Sequence, residues 1–218
     1  MTSDFPRALI FDWDNTLVDS WGAIAQSINH VRGQFGLPQW SLDEIKVNCI
    51  RAARDSFPEW FGAENWKKAY DIYYDHFDRV RKMANITALA GAEQFLRFLK
   101  AKDIPAFVVS NKHGEYLRLE AAQLGWSDLF AAIVGAQDAA RDKPSREPVD
   151  LALSKAGIKA HADVWFVGDS EIDMMCARNA ECTPVLIGTD EMATRLSVAR
   201  VFSDCQAFGE LFYNGFNN

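Results

Sequence analysis

The chain has 218 residues, 49% of them hydrophobic and 24% charged, enough for a full core with one sizeable insertion or for two small modules. No apolar run is long enough to cross a bilayer, and a formal charge of -7 disfavours electrostatic capture of nucleic acid, so neither a membrane nor a polynucleotide partner is expected. The opening MTSDFPRALIFDWD lacks the pattern of a secretory signal, which points to a cytoplasmic protein. Cys49, Cys176, Cys182 and Cys205 form no CxxC pair and have no histidines at zinc spacing, so reduced thiols are expected.

In chain order, Ala8 to Phe11 is a short continuous apolar run, and such runs recur at Pro105 to Val109, Ala131 to Val134, Val164 to Val167 and Thr183 to Ile187. Runs of this length suit strands covered on both faces. Ala92, Phe95, Leu96 and Leu99 follow helical spacing, as do Val149, Ala152, Leu153 and Ala156, with Gly125 and Gly157 placed as helix C-caps. Alternating strands and helices predict an α/β fold, a Rossmann-like parallel sheet with helices on both faces.

Between Trp21 and Asn85 the alternation stops, and helical spacing takes over at Ile24, Ile28, Val31 and Phe35, then at Trp66, Ala69, Tyr70, Tyr73 and Phe77. A small α-helical domain over residues 19–86 is therefore expected, inserted in a core made of 1–18 and 87–218. Trp21, Trp40, Trp60 and Trp66 fall in the insertion and are expected to bulk out its core. The segment Gly135 to Pro148 reads as a long charged loop of the kind that often carries function. His30, His76, His113 and His161 show no partner pattern.

Ligands of an open parallel sheet bind beyond the carboxyl ends of its strands, and four strand ends here carry polar groups. The first run leads into Asp12-Trp13-Asp14-Asn15-Thr16, where paired carboxylates suit a divalent cation, a nucleophile and a proton carrier. Ser110 and Asn111 follow the second, either to bind a phosphoryl oxygen or to start a helix. Lys143 lies in DKPSREP, and Gly168, Asp169 and Asp173 end the apolar WFVGDSEID segment, where acids also complement a helix dipole.

In order, FDWDNTLVDS, VVSNKHG, DKP and GDSEID resemble the four motifs of the haloacid dehalogenase superfamily, nearest its phosphoglycolate-phosphatase-like branch with a helical cap. That resemblance implies a magnesium-dependent phosphatase acting on a small phosphorylated metabolite through an aspartyl-phosphate. It makes Asp12 the nucleophile and Asp14 the general acid and base, with Asp12, Asp169 and the Asp14 carbonyl on Mg2+. Ser110, Asn111 and Lys143 would hold the phosphoryl group, and Thr16, Gly168 and Asp173 would support the site. Asn15 replaces the usual glycine, and asparagine tolerates a left-handed backbone; Arg146 stands where relatives often have proline.

Asp14 argues against dehalogenases and phosphonatases, which lack that acid. A phosphomutase of the β-phosphoglucomutase type remains the alternative, and a non-catalytic partner-binding member is the other. In the cap, NCIRAARDSFPEW makes Arg51 and Arg54 candidates for a second anionic group of the substrate. A monomer or homodimer is expected.

Overall fold

A computed structural model describes residues 5–83 and 86–216. The chain divides into two compact units, one of Met1–Val18 with Ala88–Asn218 and one of Asp19–Thr87. Along the chain, β1 (Ala8–Phe11) and the short β2 (Val18–Asp19) precede four helices, α1 (Trp21–Gln34), α2 (Leu42–Asn48), α3 (Ala53–Phe61) and α4 (Trp66–Met83). After β3 (Thr87–Ala88) come α5 (Ala92–Ala101), β4 (Ala106–His113), α6 (Gly114–Gln123) and β5 (Ala132–Ala136). The chain ends with α7 (Glu147–Ser154), β6 (Val164–Gly168), α8 (Glu171–Asn179), β7 (Thr183–Ile187), α9 (Asp190–Leu196), β8 (Arg200–Phe202) and α10 (Cys205–Gly215).

The larger unit is built on a six-stranded sheet in the order β5-β4-β1-β6-β7-β8, all of whose pairings are parallel. Every residue of β1 and β6 is buried, as the unbroken apolar runs require of strands covered on both sides. Alternate residues serve the two faces. Ala8, Ile10, Phe107, Val109, Val164 and Phe166 share one cluster with Val149 and Leu153 of α7 and Cys176 and Ala177 of α8. On the opposite face Phe11 packs edge-on to Phe95 of α5, and Trp165 meets Phe208 and Phe212 of α10.

Most expected elements lie within a few residues of their sequence-derived positions, and the departures have local causes. β4 runs four residues past Val109 with a register shift, so Ser110 and Asn111 lie in the strand and the next helix starts only at Gly114. α7 stops at Ser154, leaving Ala156 exposed. Gly125 and Gly157 take φ of 69° and 66°, and the amides after them turn back to Ala121 and Leu153. β8 and α10 fall outside the expected elements, although Cys205, Phe208, Gly209 and Phe212 of α10 follow helical spacing.

In the smaller unit, no strand separates α1 from α4 among the described residues. Its buried apolar residues among those described are Ile24, Ile28, Val31, Ile45, Ala52, Phe57, Phe61, Ala69 and Phe77. Trp21, Trp40, Trp60 and Trp66 are half-buried, and Trp60 packs against the buried Phe57. Smaller groups fill that core, while Trp40 meets Trp60 edge-on and stacks under the Arg32 guanidinium 3.8 Å away. His30 and His76 stack at 4.1 Å, and His76 hydrogen-bonds Ser27.

Candidate active site

The strand order reverses its direction of growth at β1: β4 and β5 are added on one side, β6, β7 and β8 on the other. A crevice opens at the carboxyl end of such a switch point, because the following segments diverge to opposite sides. Asp12 stands there, directly after β1, its amide still in the ladder through a 2.8 Å bond to the Val167 carbonyl. Asn15 turns the chain with φ of 63°, as its local polar side chain permits. Thr16, fully buried, places Oγ1 3.5 Å from Asp169 Oδ1.

Lys143 enters from the 137–146 loop after β5, which starts later than expected because Gly135 and Ala136 complete the strand. Lys143 is 3% exposed, and its ammonium lies 2.7 Å from both Asp12 Oδ1 and Asp173 Oδ1. Asn111 holds it from the far side of the backbone. The Asn111 amide accepts from the Lys143 N–H at 3.0 Å and donates to the Lys143 carbonyl at 3.3 Å.

Asp173 does two jobs at once. Its Oδ2 accepts from the Ser170 amide at 3.0 Å and hydroxyl at 2.6 Å, forming a capping box at the start of α8, while Oδ1 meets Lys143. Gly168 makes this approach possible: a Cβ on it would lie 2.4 Å from Asp173 Cβ. Ser110 is buried and accepts the Lys112 amide at 3.2 Å.

Asp12, Asp169 and Asp173 each bring a carboxylate oxygen within 4.8 Å of the others. Burial raises the Asp12 pKa to about 7; Lys143 opposes that shift, and Asp173 and Asp14 add to it. Asp169 is raised for the same first reason, burial, with Asp173 and Asp12 adding repulsion. Burial works against the charge of Lys143, but Asp12 and Asp173 outweigh it and raise its pKa. An all-oxygen set of mutually repelling carboxylates suits a hard divalent cation, which would relieve the repulsion.

Asp14 is not in that group. Its Oδ1 lies 2.6 Å from the ammonium of Lys112, which is also 2.6 Å from Glu120 Oε2 on α6. Trp13, between the two aspartates, donates its indole N–H to the same Glu120 oxygen at 2.8 Å. No local motif marks a role for Lys112, Glu120 or Trp13. The available signal was Glu120 itself, an acid in the buried stripe of α6 with Leu117 and Ala121.

In the smaller unit, Arg51 forms a two-pronged pair with Glu59, at 2.9 Å and 2.5 Å. Arg54 lies on α3. Arg146 is a surface residue paired with Asp150 at 2.8 Å.

Residues 9–187 match the family model described as haloacid dehalogenase-like hydrolase. The chain is 30% identical over 190 residues to the phosphoglycolate phosphatase of Chromobacterium violaceum, an alignment covering 84% of this chain and 85% of that one. The crystal structure of a HAD-superfamily hydrolase from Ehrlichia chaffeensis matches with a TM-score of 0.67 at 29% identity, over 98% of both chains. A hydrolase from Pseudomonas syringae matches at 0.81 with 20% identity, over 95% of this chain and 98% of that one, a likeness of fold.

Proposed function

The chain belongs to the haloacid dehalogenase-like hydrolases, as a phosphatase, and on that premise we propose that it hydrolyses a small phosphomonoester through a covalent phosphoryl group on Asp12. The observation that carries the reading is the Lys143 ammonium set 2.7 Å from both Asp12 and Asp173, beside the oxygens of Asp169.

A phosphate dianion is repelled by an attacking carboxylate, and the uncatalysed reaction is very slow. Lys143 offsets that repulsion and takes up part of the transition-state charge. Asp12 attacks phosphorus as the bond to the leaving oxygen breaks, and Asp14 delivers a proton to that oxygen. Asp14 then takes a proton from the water that displaces the phosphoryl group, releasing inorganic phosphate and restoring Asp12. Ser110, inside the last half of β4, binds a phosphoryl oxygen, and Asn111 keeps Lys143 in register.

Asp12, Asp169 and the Asp14 carbonyl are proposed to hold Mg2+, with Asp173 supporting them because both its oxygens already accept hydrogen bonds. When bound, the cation supplies charge neutralisation and orientation of the phosphoryl oxygens. Relatives named phosphoglycolate phosphatases point to a substrate with a second anionic group, for which Arg51 and Arg54 are the candidates.

The test is release of inorganic phosphate from 2-phosphoglycolate, sugar phosphates and nucleotides, with Mg2+ and with chelator. Metal-dependent turnover of one of these supports the reading. Turnover unchanged by chelator overturns the metal assignment, and isomerised sugar phosphate in place of inorganic phosphate overturns the hydrolase assignment.

A further inference from the structure

Asp14 is tied down twice by one buried carboxylate. Through its side chain it meets Lys112, 2.6 Å away, and Lys112 meets Glu120 at 2.6 Å. Through its backbone it follows Trp13, whose indole N–H donates to the same Glu120 Oε2 at 2.8 Å. The Trp13 ring is wholly buried, edge-on to Trp126 at 5.8 Å and to Phe130 at 6.3 Å. Trp13 immediately precedes Asp14, so an anchored Trp13 fixes the stretch of backbone from which the Asp14 side chain departs.

We propose that Lys112, Glu120 and Trp13 form a positioning clamp that holds the Asp14 carboxylate by Oδ1 and leaves Oδ2 to carry the proton. The proposal rests on the acid and base role given to Asp14 above.

The energetics favour a dedicated arrangement. Lys112 and Glu120 are each less than a tenth exposed, and buried ions at such depth cost more to desolvate than a chance pairing returns. A purely structural pair could be closed by one lysine and one glutamate. Here the cation carries a second carboxylate, that of Asp14, whose side chain is 19% exposed. The shared Glu120 oxygen couples the loop to the strand-end lysine, so Asp14 is oriented by its ion pair with Lys112 rather than left to its own two free torsions. Proton transfer is sensitive to such placement, because displacement of about 1 Å in a reacting group costs about 100-fold in rate.

A double-mutant cycle with Asp14 separates positioning from plain stability. Lys112→Met with Glu120→Gln removes the clamp without leaving a buried unpaired carboxylate on α6. Trp13→Phe keeps an aromatic ring in the pocket and removes the N–H together with part of the indole volume, so its melting temperature is read beside its kinetics. Rapid quench of the phosphoenzyme and steady-state assays give its breakdown rate, kcat and KM for 2-phosphoglycolate and 4-nitrophenyl phosphate.

In the parent background the Lys112→Met/Glu120→Gln variant is expected to lose about tenfold or more in phosphoenzyme breakdown, within the range of proton-transfer contributions. KM should stay within about twofold, and Trp13→Phe should lose less in the same step. In the Asp14→Asn background both changes should alter breakdown by less than about twofold, since the group they position is gone. Equal fold-losses with and without Asp14, or parental breakdown rates in both clamp variants, would overturn the clamp alone. Parental kcat in Asp14→Asn itself would overturn the acid and base role on which it rests.

Discussion

The ammonium of Lys143 lies 2.7 Å from Oδ1 of Asp12, although 131 residues separate them along the chain. The same nitrogen reaches Asp173 at the same distance, so one buried cation balances two of the three clustered carboxylates. Lys143→Met should therefore act on stability and catalysis together. Loss of kcat by about 100- to 1000-fold is expected from removal of a charge-stabilising donor. Melting should show a loss of about 3 kcal/mol or more for leaving the buried carboxylates unpaired. An active, equally stable variant would contradict both roles.

Asp12 and Asp14 should separate in the two halves of the reaction. With an aryl phosphate, whose leaving group scarcely needs a proton, Asp14→Asn should still capture the phosphoryl group but release it about 100-fold more slowly. Intact-protein mass spectrometry after acid quench should show one added phosphoryl group that hydroxylamine removes. Asp12→Asn should show none, and appreciable steady-state turnover by that variant would refute the nucleophile.

Burial holds the Asp12 carboxyl at about 7 in the metal-free protein, up from 3.8. A raised carboxyl contributes stability that is complete below the unfolded value and is lost as pH climbs through the folded one. The metal-free protein should thus lose stability between about pH 4 and pH 7 on this account. Mg2+ binds the ionised form, so its stabilising effect should grow over the same window. Melting temperatures with Mg2+ and with chelator between pH 5 and pH 8 test the sign; a metal effect that shrinks as pH rises would be inconsistent with carboxylate ligation.

Glu59 competes with any anion for Arg51, which it grips with both oxygens. Arg51→Ala and Arg54→Ala should each raise KM for 2-phosphoglycolate by about tenfold or more, the loss of a charge-assisted contact, and leave 4-nitrophenyl phosphate unaffected. Glu59→Gln should lower KM by weakening the competing pair. Parental KM values in all three variants would place the arginines outside the substrate site.

Gly168→Ala tests the close packing under Lys143. The added Cβ would meet Asp173 Cγ at 2.5 Å, so Asp173 must shift or the strand must give. Overpacking of this kind costs about 1 to 3 kcal/mol. Because Asp173 also holds Lys143, calorimetry should show weaker Mg2+ binding beside the lower melting temperature; parental values of both would mean the glycine is dispensable.

Much of this molecule is written locally. Unbroken apolar runs announced β1, β6 and β7, since strands covered on both faces have no polar side to show. The polar residues that follow the apolar runs of β1, β4 and β6 stood out because acids, a serine and an asparagine interrupt those runs abruptly. Periodicity also marked α5, whose buried positions Ala92, Phe95, Leu96 and Leu99 are those of its apolar stripe.

Pairings across the fold were not legible in that way. Asn111 reads as a strand-end polar residue that could bind substrate, yet its amide grips the Lys143 backbone 32 residues on. Arg51 reads as a free cation, but α3 carries Glu59 to it. Lys112, Glu120 and Trp13 look like three unrelated side chains, and 107 residues lie between the indole and its acceptor. Local pattern records which face a residue buries. Which buried groups then share an oxygen depends on strand order and on where a helix lands across the sheet, and those are set by packing of the whole chain. The sequence by itself determined five of the six strands, the polar residues that follow them and the family; the tertiary structure alone decided that Lys143 binds two carboxylates and that Asp14 is held by a lysine from the neighbouring strand.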